Sequence, residues 1–73
     1  MRAEILSIIS SLSGELPHER AGALKSVRRQ NSLSSEERGL LTEKIKVLVF
    51  DWDAEVRGEV APALKYLQNY RAG

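Results

Sequence analysis

Four blocks of apolar residues at helical spacing run along the chain, separated by short polar breaks. In residues 2–12, Ile5, Leu6, Ile8, Ile9 and Leu12 recur at intervals of three and four, which sets them on one face of a helix, with Ser7, Ser10 and Ser11 opposite. Ser13-Gly14 closes this block, and the glycine suits the left-handed position that follows a helix C-terminus. Pro17 opens a second helix at the first turn, where its missing N–H costs no bond. Leu16, Arg20 (through its aliphatic stem), Leu24 and Val27 line one side of it, and Ala21 and Ala23 permit close approach of a neighbour.

Asn31-Ser32-Leu33-Ser34 is the clearest break in the middle of the chain. Ser34-Ser35-Glu36-Glu37 then reads as a capping box, in which the Ser34 hydroxyl and the Glu37 carboxylate each accept the other's backbone N–H. The third helix is predicted to reach about Phe50, with Leu41, Ile45, Leu48 and Trp52 as its buried stripe and Leu40, Val47 and Val49 widening it. Val47–Phe50 has the composition of a strand, but one four-residue run without a partner strand cannot form a sheet, so the segment is read as helical. Asp53 is the expected cap of a fourth helix reaching about Tyr70, buried along Val56, Val60, Ala63, Leu64 and Leu67. Pro62 falls inside it, over the carbonyl of Gly58, and predicts a bend rather than a break. The fold class expected is all-α with four helices.

Shifting the chain by forty residues overlays its halves. Ile5 falls on Ile45, Glu15 on Glu55, Glu19 on Glu59, and Ala21, Ala23, Leu24 and Lys25 on Ala61, Ala63, Leu64 and Lys65. Apolar matches alone follow from any two amphipathic hairpins; the matched Glu and Lys positions point to a repeat. With two helices per forty residues, and with Asp51, Asp53, Val56, Arg57 and Ala63-Leu64 in the second unit, the sequence resembles the HEAT repeats of the armadillo/HEAT superfamily. The resemblance implies one domain, residues 1–73, of two units (1–32 and 33–73) built as two stacked antiparallel helical hairpins. The Asn31–Ser34 link also permits a four-helix bundle. It further implies an architectural role for Asp51, Asp53 and Arg57, with Arg57 paired to one of the two acids. The first unit departs from the pattern, with Ser11 and Ser13 for the acids and Pro17 in place of Arg57.

Composition narrows the chemistry. Seventy-three residues make one small domain, and without cysteine there is neither disulfide nor thiolate ligand. Eleven Lys and Arg against ten Asp and Glu leave a net charge of +1, far from the basicity of a dedicated nucleic-acid binder. Met1-Arg2 followed by Ile5, Leu6, Ile8 and Ile9 begins like a signal peptide, but Glu4 and the serines interrupt it. A cytoplasmic protein that does not enter a membrane is expected. His18 lacks convergent ligands, and the carboxylate pairs Glu36/Glu37 and Asp51/Asp53 are explained as helix N-termini, so no enzyme, metal or cofactor is expected.

Two groups are candidates for contact. Lys25, Arg28, Arg29 and Lys65, with Arg71 nearby, would form a basic patch for phosphates if Lys25 and Lys65 stack where the second and fourth helices lie side by side, with the glutamates at the other end of those helices. Tyr66, Tyr70, Gln68 and Asn69 form the candidate protein-contact surface, since tyrosine suits interfaces, whereas Trp52, matched to Leu12, is expected in the core. The function expected is a protein–protein interaction module or adaptor, using the face of the second and fourth helices or an open end of the stack. Self-association would cover Leu6, Leu40 and Val47. The alternatives are nucleic-acid backbone binding and a small regulator or inhibitor of a larger complex.

Overall fold

The computed structural model describes residues 2–70, and among these it is all helical. Helix α1 spans Ala3–Leu12, α2 Pro17–Val27, α3 Ser35–Lys46 and α4 Ala54–Gln68, with a 3-10 segment, Val47–Phe50, directly after α3. Arg71 lies outside the described residues. Among them no helix is long and apolar enough to cross a membrane.

Local chemistry sets the helix ends. Pro17 stands in the first turn of α2. At α3 the capping box is complete: Glu37 N–H donates to Ser34 Oγ at 3.0 Å and Ser34 N–H to Glu37 Oε1 at 2.9 Å. Asp53 caps α4 by accepting the Glu55 and Val56 amides at 2.9 and 3.1 Å. Helix α4 runs unbroken through Pro62. Gly14 is not in the left-handed conformation; a Cβ there would collide with Glu19 Oε2 and sit 3.1 Å from the Ser11 carbonyl, so the position is small because the chain is crowded. Among the described residues the one non-glycine with positive φ is Ser32, at 58°, in the link between α2 and α3.

Helix α1 packs on α2 and α3 on α4, and the two pairs meet chiefly through α2 against α4 and more lightly through α1 against α3. The core between them holds Ile5, Ile8 and Leu12 from α1, Leu24 and Val27 from α2, Leu41 and Ile45 from α3, and Val56, Val60, Ala63 and Leu67 from α4. Leu33, left out of every stripe by its place in the link, is buried as well. The alanines of α2, Ala21 and Ala23, are buried, as a close helix contact requires.

Among the described residues three polar ones are buried with them, Gln30, Glu37 and Arg20, and Arg20 is the one that ties distant parts of the chain. Arg20 Nε and Nη2 donate to the two oxygens of Asp51 at 2.7 and 3.0 Å, and Nη1 donates to the carbonyls of Gly14 and Glu15 at 2.8 and 3.1 Å. The two side chains retain only 8% and 6% of their exposure, so water satisfies little of either group and they depend on each other. Asp51 Oδ1 also accepts the Asp53 amide at 2.9 Å. A single guanidinium therefore joins the α1–α2 turn to the turn that opens α4.

Three ion pairs connect α2 with α4 and its entry: Arg20 with Asp51, Lys25 with Glu55, and Arg28 with Glu59. Each spans 30 or 31 residues of sequence, with both numbers rising together, so the two helices run in the same direction. That offset differs from the forty residues of the sequence overlay, and the expected stacking of Lys25 on Lys65 is not found: Lys25 Nζ lies 3.7 Å from Glu55 Oε2. The expected separation of acidic helix starts from basic helix ends is lost with it, because α2's cations interleave with α4's acids.

Two carboxylates acquire a pH dependence from this arrangement. The Arg20 guanidinium holds Asp51 below its ordinary pKa, with the Asp53 amide adding to the effect against burial. The Ser34 amide does the same to Glu37, helped by Arg2. A carboxylate whose folded-state pKa is depressed contributes stability at pH values above its unfolded pKa and loses it as pH falls towards the folded one. Urea midpoints measured against pH should therefore be flat above about pH 5 and fall below about pH 4. An Asp51→Asn variant should start from a lower midpoint at neutral pH and show a shallower acid limb; an unchanged limb would contradict the pairing.

Candidate functional site

Where α3 ends, the backbone tightens from 3.6 to three residues per turn, and this decides which side chains reach water. With a period of three, Leu48 points inward and is buried, and the chain then turns inward again at Asp51. The positions between them point out. Val47, Val49, Phe50 and Trp52 are 66, 47, 87 and 73% exposed, and the segment that follows α3 is thus an exposed apolar ledge of the chain. The expectation of a core Trp52 is thereby corrected. Its stripe (Leu41, Ile45, Leu48, Trp52) assumes an α-helix to the end, and the switch of period after Lys46 drops the last member out. Val47 and Val49 leave the stripe for the same reason. Leu6 and Leu16, also placed on buried faces by spacing, are 54 and 50% exposed.

Trp52 nevertheless has a structural contact. The Arg20 guanidinium carbon lies 5.6 Å from the centre of its ring, so the indole partly roofs the buried ion pair. Arg57 Nη1 donates to the Asp51 carbonyl at 2.7 Å. This corrects the expected pairing of Arg57 with an acidic side chain: the Asp51 carboxylate is already occupied by Arg20, and that of Asp53 by the first amides of α4.

The two candidate contact groups meet at one place, an open cavity of about 720 Å³ between the link that follows α2 and the C-terminal half of α4. Arg28 and Lys65 stand in its wall with Tyr66, Tyr70, Asn31 and Asn69. Of the expected phosphate-binding cations, Lys25 and Arg28 are each paired with a glutamate, while Lys65 and Arg29 are exposed and without an ion pair among the described residues. The tyrosines are half-buried and their rings meet edge to face, with centres 5.8 Å apart. The Tyr66 hydroxyl donates to the Gln30 carbonyl, and the Tyr70 hydroxyl accepts the Leu33 amide at 2.6 Å. Both hydroxyls thus serve the link between α2 and α3, and what the pair offers outward is ring carbon. Gln68 and Asn69 are exposed, but only Asn69 reaches the cavity wall.

His18 is exposed, and among the described residues no three His, Asp or Glu side chains converge as metal ligands would. The feature that spacing missed is Phe50 with Val49. The one trace it leaves in the sequence is the unbroken apolar run Val47–Phe50, which is longer than an α-helical stripe can bury. Comparison of the chain with protein-family models, with curated proteins and with solved structures finds no significant match.

The tyrosine anchors carry a direct prediction. Tyr70→Phe leaves the amide of buried Leu33 without its acceptor and should lower unfolding stability by roughly 1–3 kcal/mol in urea titrations. Tyr66→Phe, which deprives only a carbonyl, should cost less, about 1 kcal/mol. Equal stability of wild type and Tyr70→Phe would remove the anchor from the account.

Proposed function

We propose that the protein is an interaction module whose ledge of Val47, Val49, Phe50 and Trp52 docks an apolar surface of a protein partner. One observation carries this reading: Phe50 and Trp52, two of only four Phe, Trp and Tyr residues in the chain, stand 87 and 73% in solvent. Together they leave on the order of 300 Å² of aromatic surface uncovered, and the valines enlarge it to the size at which exposed patches are usually functional. Aromatic side chains of this kind dominate binding energy where they fill a partner's pocket. The ledge is also held in place, with Leu48 packed beneath it and Asp51 tied to Arg20, so little ordering cost falls due on binding.

The resemblance to HEAT repeats supports the same reading. A stacked pair of hairpins would bring second helix against second helix and first against first, as α2 meets α4 and α1 meets α3. Such a pair leaves its ends open to a partner, a second copy of the chain included. A small regulator of a larger complex would act through the same ledge. Nucleic-acid binding fits less well, because among the described residues two of the four candidate cations, Lys25 and Arg28, are each shared with a glutamate.

The test compares wild type with Phe50→Ser/Trp52→Ser as immobilised baits, with sedimentation of both proteins at two concentrations. The double variant should remain folded and lose roughly 1 kcal/mol, the contact of Trp52 with Arg20, since both side chains are otherwise exposed. It should lose the partner or the self-association that wild type shows. Identical retention by both baits and identical sedimentation would overturn the assignment of the ledge.

A further inference from the structure

The cavity between the link that follows α2 and the C-terminal half of α4 shares no residue with the ledge. We propose that this cavity binds a small organic anion, an aromatic ring bearing a phosphate or carboxylate, with the anion held by Lys65 and Arg28 and the ring laid against Tyr66 and Tyr70.

Size, charge and wall chemistry converge on that class of ligand. A volume of about 720 Å³ suits a small molecule. The wall contains two cations and no Asp or Glu. Arg28 directs Nη2 to Glu59 at 3.0 Å, which leaves its other N–H groups available, and Lys65 has no ion-pair partner among the described residues. Two helix C-termini lie close by, and bare carbonyls there would repel an anion, but several of them are already engaged. Lys25, Ser26 and Val27 accept the amides of Arg28, Arg29 and Gln30, and Lys65 and Leu67 accept those of Asn69 and Tyr70. The Gln30 carbonyl takes the Tyr66 hydroxyl. The cavity wall thus combines positive charge, the polar residues Asn31, Ser32 and Asn69, and the carbon of Pro62 and the two tyrosine rings, that of Tyr70 shared with the Arg38 guanidinium 5.6 Å from its centre. An inorganic ion would leave the ring carbon uncovered, and a neutral ring would leave Lys65 without a counter-charge, Arg28 being shared with Glu59. The two cations also fall short of the run of contacts that a nucleic-acid backbone needs.

The experiment is a titration of ¹⁵N-labelled protein with four probes: phenyl phosphate, benzoate, inorganic phosphate and benzyl alcohol. Phenyl phosphate or benzoate should shift the amides of Asn31, Ser32 and Asn69 saturably, at concentrations about tenfold lower than inorganic phosphate or benzyl alcohol require. The stronger of the two identifies the head group. Lys65→Ala, a change at an exposed position, should weaken that binding about tenfold, whereas Phe50→Ser/Trp52→Ser should leave it unchanged. Absence of saturable shifts at millimolar concentration, an equal response to inorganic phosphate, or an undiminished response in Lys65→Ala would each overturn the proposal.

Discussion

The tertiary structure depends on one buried pair, Arg20 and Asp51. Burying a guanidinium in a domain this small is costly unless every donor finds an acceptor, and here the acceptors come from three places: the Asp51 carboxylate and the carbonyls of Gly14 and Glu15. Two turns, distant in sequence, are thereby held against the start of α2. The register of α4 on α2 follows, since fixing Asp51 beside Arg20 brings Glu55 to Lys25 and Glu59 to Arg28 one and two turns further along. The outward projection of Trp52 follows as well. With Asp51 committed inward, its neighbour is turned to the outside and lies across the guanidinium.

The parts legible in the sequence were those governed by local chemistry. The capping box at Ser34, the Asp53 cap, the proline at the start of α2 and the inward faces of α1 and α4 each rest on residues within a few positions of one another. Spacing places Arg20 on the inner face, but only as an aliphatic stem, because nothing local announces a carboxylate thirty-one residues away. The same blindness misassigned Arg57, whose expected acid was already taken. Trp52 was misplaced for a different reason. Helical periodicity extrapolates one angle per residue, and a four-residue 3-10 segment rotates everything after it.

The contact surfaces divide along similar lines. The amphipathic rings of Tyr66 and Tyr70 mark them for contact from the sequence, and their polar ends hold the chain's own link at Gln30 and Leu33. The basic residues suggest a patch, and the fold splits them. Lys25 and Arg28 answer the acids of α4, and Arg28 with Lys65 borders a cavity. The apolar ledge was least visible because its residues have core composition, and only their geometry sends them outward.

Trp52 is the only tryptophan in the chain, so its fluorescence reports on the ledge without ambiguity. Dilute native protein should emit at nearly the wavelength of free tryptophan in water and be quenched by acrylamide almost as readily as after unfolding. Emission shifted to the blue and protected from quencher, at a concentration where the protein sediments as a monomer, would place Trp52 in the core and contradict the outward turn that Asp51 imposes.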